Sequence, residues 1–334
     1  MTRTFTIAVS NANTLAGETL IQWLEERQFP AIKLYPLGVS SEKTVEYLGE
    51  ELELLDSASF SFTGVDVLFI PANTSRDADM MARAVEAGCL VIDASSGAAA
   101  QGHTLPVMPG INDYQLEEAR LNRYVVLPSS PASLLLPVLK TLQNRYGLTR
   151  IHITACLSVA CTGGHEGVEA LRTQTVQLLN GKPVETSAYP HRIAYNVLPQ
   201  VGDIDEQGAS EVEEQIRREL VAFLDSEVDV RVTCSIVPVF FGDSLSVDID
   251  SDQPMDLQDV ADSLSDVQHH ELMSAGAYPT AEEAAGQDEV QLGRLRQSSV
   301  YGTDLSFWLV ADGVKRGAIN AVHTAELLIK DLTQ

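Results

Sequence analysis

The sequence predicts an α/β protein with a doubly wound parallel sheet, followed by a second α+β domain whose sheet is mixed or antiparallel. Three observations carry this. Up to Leu127, short apolar runs alternate with amphipathic helix-like segments, the order that winds a parallel sheet. Further on, longer strand-like runs follow one another through short turns, as around Gly242. Between these regions, a tight Pro128-Ser129-Ser130-Pro131 turn joins the apolar run Tyr124–Leu127 to a helix-like run, Ala132–Leu142. Strand, tight turn and helix is a geometry that presents a residue at the carboxyl edge of a sheet. Ser130 at that turn reads first as an N-cap, whose hydroxyl accepts from an orphan helical N–H, and second as a nucleophile in need of a base.

In chain order, Phe5–Val9 is the first strand. Glu18–Arg27 places Leu20, Ile21 and Leu24 on one helical face. Ala31–Leu37 is a strand, residues 39–55 a loop with a short hairpin centred on Gly49, and Val65–Ile70 a buried strand. Arg76–Ala87 is a helix ended by Gly88, Cys89–Asp93 a strand, and Asp113–Leu121 a helix. In the second region, Ile151–Val159 is a strand, and Gly167–Leu179 is a helix stopped by Asn180-Gly181-Lys182-Pro183. A polar loop around Val201–Ala209 precedes a helix at Glu211–Leu224. Val228–Phe240 and Ser244–Ile249 are strands expected to pair through Phe241-Gly242-Asp243. Asp256–Val267 is a helix, Glu289–Gln297 and Leu305–Ala311 are strands, and Lys315–Leu332 is a closing helix with Ile319, Val322, Ala325, Leu328 and Ile329 on one stripe.

The 334 residues suffice for two domains. A net charge of −25 argues against nucleic acid and anionic membranes as partners. No apolar run has the length of a membrane span and no secretory signal is evident, so a cytoplasmic location is expected. Four cysteines without CxxC spacing read as reduced, mostly buried thiols and give no metal site. His103 and His165 are candidate bases by residue type, but lone histidines on a loop or a helix start are usually surface residues.

The loop after the first strand, Ser10 to Gly17, is where a dinucleotide would sit. Backbone must approach the pyrophosphate there, which favours glycines. Only Gly17 is present; Asn11 tolerates a left-handed turn, whereas the β-branched Thr14 crowds a phosphate. Asn13, Thr14, Leu15, Ala16 and Gly17 are the candidate cofactor contacts, weak or lost, and the stretch supports the fold more strongly than the cofactor.

Several stretches then align, in order, with one family: Val91-Ile92-Asp93-Ala94-Ser95-Ser96, Leu105-Pro106-Val107-Met108-Pro109-Gly110, Tyr195-Asn196-Val197-Leu198-Pro199, Gly293-Arg294-Leu295-Arg296 and Phe307-Trp308-Leu309-Val310-Ala311-Asp312. Together they resemble aspartate-semialdehyde dehydrogenases over nearly the whole chain. The resemblance implies a homodimer with a Rossmann-like NAD(P)-binding domain, residues 1–128 plus 314–334. It also implies a catalytic and dimerisation domain, residues 129–313. The family's chemistry is reductive dephosphorylation of aspartyl phosphate with NADPH, through a cysteine thiolate and a histidine acid/base.

The departures from the family pattern all run in one direction. Ser130 stands at the cysteine and Asp243 at the histidine; a hydroxyl needs a strong adjacent base, and an ionised Asp is a poor acid. A substrate-binding arginine is replaced by Ile236 and the phosphate-binding arginine by Ala99. The lysine of a Glu-Glu-x-Lys signature is replaced by Gln215, and the substrate-binding glutamine by Val159. The Arg-Ser pair at the cofactor's 2′-phosphate reads Ser40-Ser41, and the cofactor-binding asparagine is Gly313. Parts that act as a unit are thus missing together. The expectation is a member resembling the family's degenerate Usg-type paralogues: catalytically silent, dimeric, binding a protein or small molecule, with weak affinity for NAD or NADP. The competing expectation is an NAD(P)-dependent oxidoreductase of altered chemistry acting on an aldehyde or acyl phosphate, built on a Ser130–Asp243 pair.

Overall fold

A computed structural model describes residues 4–38, 44–72, 74, 77–95, 106–224, 227–298 and 300–330. The chain divides into two compact units, residues 1–130 with 314–334 and residues 131–313.

The first unit contains β1 (Phe5–Val9), α1 (Leu15–Glu26), β2 (Ala31–Gly38), β3 (Thr44–Tyr47), β4 (Glu50–Glu53), β5 (Leu55–Asp56), β6 (Val67–Ile70), α2 (Ala78–Glu86), β7 (Leu90–Asp93), α3 (Leu116–Asn122) and β8 (Tyr124–Val126). Six of these strands form a parallel sheet in the order β5-β2-β1-β6-β7-β8. The order reverses at β1, so the loop after β1 lies at the switch point where such sheets bind ligands. Alternation along β1 sends Ile7 and Val9 to one face, against Leu20, Ile21 and Leu24 of α1. Ala8 goes to the other face, against Met80, Met81 and Ala84 of α2. Each fully buried side chain of this size contributes about 1.5–3 kcal/mol. The hairpin β3–β4 turns through Leu48 and Gly49, both at positive φ (52° and 77°), the twist that a two-residue hairpin requires.

The second unit contains α4 (Ser130–Tyr146), β9 (Leu148–Leu157), α5 (Val159–Leu179), α6 (Glu211–Phe223), β10 (Asp229–Ile236), β11 (Asp243–Ser251), α7 (Leu257–Ser265), β12 (His270–Leu272), α8 (Ala281–Ala284), β13 (Val290–Arg296) and β14 (Asp304–Ala311). Its six-stranded sheet runs β10-β9-β11-β14-β13-β12 and is mixed, with β10 parallel to β9 and β12 parallel to β13. The last helix, α9 (Gly313–Lys330), returns to the first unit and adds Ala321, Val322, Ala325 and Leu328 to its core.

Three expectations require correction. The strands flanking Phe241-Gly242 do not pair: β9 lies between β10 and β11, parallel to one and antiparallel to the other. The helix at the central turn begins at Ser130 itself, so Ser129, not Ser130, precedes it. The helix expected from Gly167 begins at Val159, with a break at Gly164 (φ 52°, ψ −138°) that only glycine adopts without strain. The short elements β5, β12 and α8 have no counterpart in the sequence reading.

All four cysteines are free; Cys89, Cys161 and Cys234 are buried. Burial pushes the Cys89 and Cys234 thiols up to about 12, which makes them inert. Among the described residues no cluster could hold a metal ion, and no helix is long and apolar enough to cross a membrane.

Candidate functional site

The candidate nucleotide loop belongs to the first unit. Its backbone is tied to both neighbouring strands, Ser10 N–H donating to Phe69 O (2.9 Å) and Ala12 N–H to Leu37 O (3.0 Å). Asn11 takes the left-handed conformation, φ 47°, the role foreseen for it. Thr14 is the N-cap of α1. Its hydroxyl donates to Asn11 O (2.7 Å) and accepts the Gly17 N–H (3.1 Å), so one of the N–H groups that could meet a phosphate is already engaged. Gly17 is required by the loop itself: a Cβ there would collide with the Asn11 carbonyl and lie 2.8 Å from Ala12 Cα. Asn13, Thr14, Leu15 and Ala16 are half-buried, and none carries charge. Glu18, in the first turn of α1, places a carboxylate near the helix end that would receive the pyrophosphate. Ser10 Oγ is buried without a hydrogen-bond partner among the described residues, a donor that a bound ligand could satisfy. Residues 10–17 include no cation, so a dinucleotide would be met in this loop by backbone N–H groups and uncharged side chains. Such a cofactor would supply hydride chemistry when bound. Ser40, Ser41, Ala99 and His103 lie outside the described residues.

Ser130, 2% exposed, is the first residue of α4 and follows β8, whose end is held by Leu127 N–H donating to Asp93 O (2.8 Å). Asp93, also buried, accepts from Ser95 Oγ (2.6 Å) and from Tyr124 OH (2.7 Å). The turn is thus built on a fixed carboxylate and strand.

Asp243 belongs to the second unit and opens β11, opposite Ala311. Gly242 before it has φ 90°, and a Cβ there would lie 2.8 Å from Ala281 Cα, so the approach to Asp243 needs a glycine. The side chain of Asp243 is 0% exposed. One oxygen, Oδ1, accepts the Ser158 N–H at 2.7 Å; the other, Oδ2, is buried without a hydrogen-bond partner among the described residues. Burial, reinforced by the nearby Asp312 carboxyl, pushes Asp243 up to about 6, against the opposing pull of Ser158 and Cys161. Asp312 itself accepts the Gly286 N–H at 2.9 Å.

Ser158 is the N-cap of α5, and every early N–H of that helix is used. Ser158 N–H meets Asp243, Val159 N–H meets Val239 O (3.0 Å), Ala160 N–H meets Phe240 O (3.1 Å), and Cys161 N–H meets Ser158 Oγ (3.2 Å). No early donor of α5 is left to stabilise an oxyanion. Val159 is buried. Ile236, buried at the end of β10, offers no charge. Gln215, buried in α6, donates to Glu219 Oε1 (3.0 Å), while Glu213 closes the α6 capping box with Ser210 and accepts Cys234 N–H (2.7 Å). Gly313 starts α9, and His165 is exposed on α5. Sequence reasoning identified Asp243 but missed its partners Ser158, Cys161 and Asp312. The signal available for Ser158 was a serine ahead of a small-residue run, Val159-Ala160-Cys161, but Ser158 and Val159 read as the end of the strand Ile151–Val159.

Residues 7–119 match the family model for the semialdehyde dehydrogenase NAD binding domain, and residues 139–316 match the one for the semialdehyde dehydrogenase dimerisation domain. The chain is 37% identical to a USG-1 protein homolog of Pseudomonas aeruginosa, over 99% of each chain. It is 33% identical to an aspartate-semialdehyde dehydrogenase of Shewanella violacea, again over 99% of each. Among solved structures, aspartate semialdehyde dehydrogenase II of Vibrio cholerae superposes with a TM-score of 0.93 at 31% identity, covering 98% of this chain and 99% of that one.

Proposed function

The chain belongs to the semialdehyde dehydrogenase family, and we propose that it keeps the family's fold and dimer while lacking its reaction. The observation that carries this reading is Asp243. The residue at the acid/base position is wholly buried, and one oxygen is committed to the Ser158 N–H that opens α5. A group so placed holds a helix end; it cannot exchange a proton with a substrate that it does not touch. Ser130, at the nucleophile position, is buried too, and Ile236 and Gln215 supply none of the cations that the family pattern requires. Nucleophile, proton carrier and anion clamps act as a unit, so their joint loss removes the mechanism rather than weakening it.

The protein then acts by binding, as a homodimer, with a protein or a small molecule as its partner. The residues matched by the dimerisation-domain model expose Leu179, Tyr195, Val197 and Ile204, apolar side chains suited to a subunit interface. NAD and NADP bind weakly and alike, through backbone and the Ser10 hydroxyl.

The test is turnover of aspartate semialdehyde with phosphate and either nucleotide, with the Shewanella violacea enzyme run alongside. No turnover above background is expected, and Ser130→Ala changes nothing. Turnover that Ser130→Ala abolishes would overturn the proposal in favour of an altered oxidoreductase using Ser130. A thermal-shift titration with both nucleotides tests the cofactor reading, which stabilisation by NADP alone contradicts.

A further inference from the structure

The parallel sheet of the first unit has a second edge, away from the nucleotide loop. At the amino-terminal ends of β1, β6 and β7 lies a cavity of about 140 Å³. Phe5, Val67, Leu90, Leu328 and Ile329, all buried, form its apolar wall, and Arg120, Arg123 and Asp66 supply its polar groups. Phe5, Val67 and Leu90 are the first residues of their three strands, so the parallel register itself brings them together.

The polar groups are held from behind. Arg120 donates through Nη2 to Leu327 O (3.0 Å) and through Nη1 to Glu117 (2.5 Å), which ties α3 to α9. Asp66 Oδ2 accepts the Thr6 N–H at 2.8 Å. Arg123, in the left-handed conformation at the end of α3 (φ 51°), donates through Nη1 to Gly88 O (2.8 Å) and forms no salt bridge among the described residues. In a chain of net charge −25, an exposed guanidinium held by one backbone carbonyl beside an apolar cavity, with no carboxylate partner among the described residues, is a place for an external anion.

We propose that this cavity binds a short-chain aliphatic carboxylate, with its tail against Phe5, Val67 and Leu328 and its carboxylate on Arg123. The size agrees: an apolar cavity of roughly 150 Å³ takes a ligand the size of benzene. Guanidinium and carboxylate match geometrically as a two-bond fork. Asp66 excludes the carboxylate from its own side and so fixes the ligand's direction. The site is separate from the nucleotide loop and independent of whether the family reaction survives.

The experiment is calorimetric titration of the full chain with isovalerate and with isovaleramide, its neutral analogue of the same shape. Isovalerate is expected to bind with a Kd of about 1 mM, and the amide at least about tenfold more weakly. Arg123→Gln should weaken isovalerate by about tenfold and leave the amide unchanged. Leu90→Phe, which fills the cavity, should abolish binding of both. Equal affinity for acid and amide, no saturable binding of isovalerate below about 20 mM, or unchanged isovalerate affinity in Arg123→Gln would each overturn the proposal. The comparison of acid with amide on the unaltered chain decides the charge requirement even where a variant fails to fold.

Discussion

Asp243 couples stability to pH through a single buried carboxyl. Its carboxyl, pushed up to about 6 by burial, is protonated in the folded chain at pH values where the unfolded chain has lost the proton. The folded state therefore binds more protons than the unfolded state between about pH 4 and 6, and stability falls as pH rises through that window. The penalty at neutral pH is on the order of 3 kcal/mol. Asp243→Asn keeps an oxygen for the Ser158 N–H and removes the charge. Urea unfolding should find this variant at least as stable as the parent at about pH 8, with its relative advantage smaller at about pH 5. An advantage that grows toward low pH would refute the assignment. The reverse engineering should fail: Ser130→Cys combined with Asp243→His should recover no semialdehyde turnover. The histidine would forfeit the Ser158 contact and overfill a closed site, costing about 2–4 kcal/mol of unfolding free energy. Recovered turnover would show that cations in place of Ile236 and Gln215 are not needed for the reaction.

At the scale of elements, glycines carry much of the geometry. Gly17→Ala drives a Cβ into the Asn11 carbonyl beneath α1, and a loss of about 2–4 kcal/mol is expected in chemical denaturation. A loss below about 0.5 kcal/mol would mean that the loop relaxes freely. Most elements were legible in the sequence because their burial follows their period. Alternation along β9 and the stripe of α9 are written in Ile151, Ile153 and Ala155 and in Val322, Ala325 and Leu328. In the loop after β1, the left-handed Asn11 and the close-packed Gly17 were legible, whereas Thr14, which read as crowding a phosphate, caps α1. Strand neighbours were not legible. The turn at Phe241-Gly242 looked like a hairpin, yet β9, far earlier in the chain, lies between the strands it joins. Local pattern fixes which face a strand buries, but not which strand lies beside it. Asp243 could be singled out in the sequence, whereas its bond from Ser158, 85 residues away, and the nearness of Asp312 could not.

At the scale of the whole molecule, charge and assembly dominate. A net charge of −25 opposes compactness, so raising NaCl from about 20 to 200 mM should raise the melting temperature as repulsion is screened. A fall would show that specific ion pairs matter more than the overall field. Sedimentation should give twice the chain mass, and a monomer at micromolar concentration would contradict the dimer. The return of α9 to the first unit has a consequence for biosynthesis. The first sheet leaves the ribosome with the core positions of Ala321, Val322, Ala325 and Leu328 empty, and they are filled only when the last stretch of chain emerges. The second unit, continuous in sequence, is complete before then. The usual vectorial order is thereby inverted: the domain translated first is finished last, and until then its exposed apolar face is the segment a chaperone would hold.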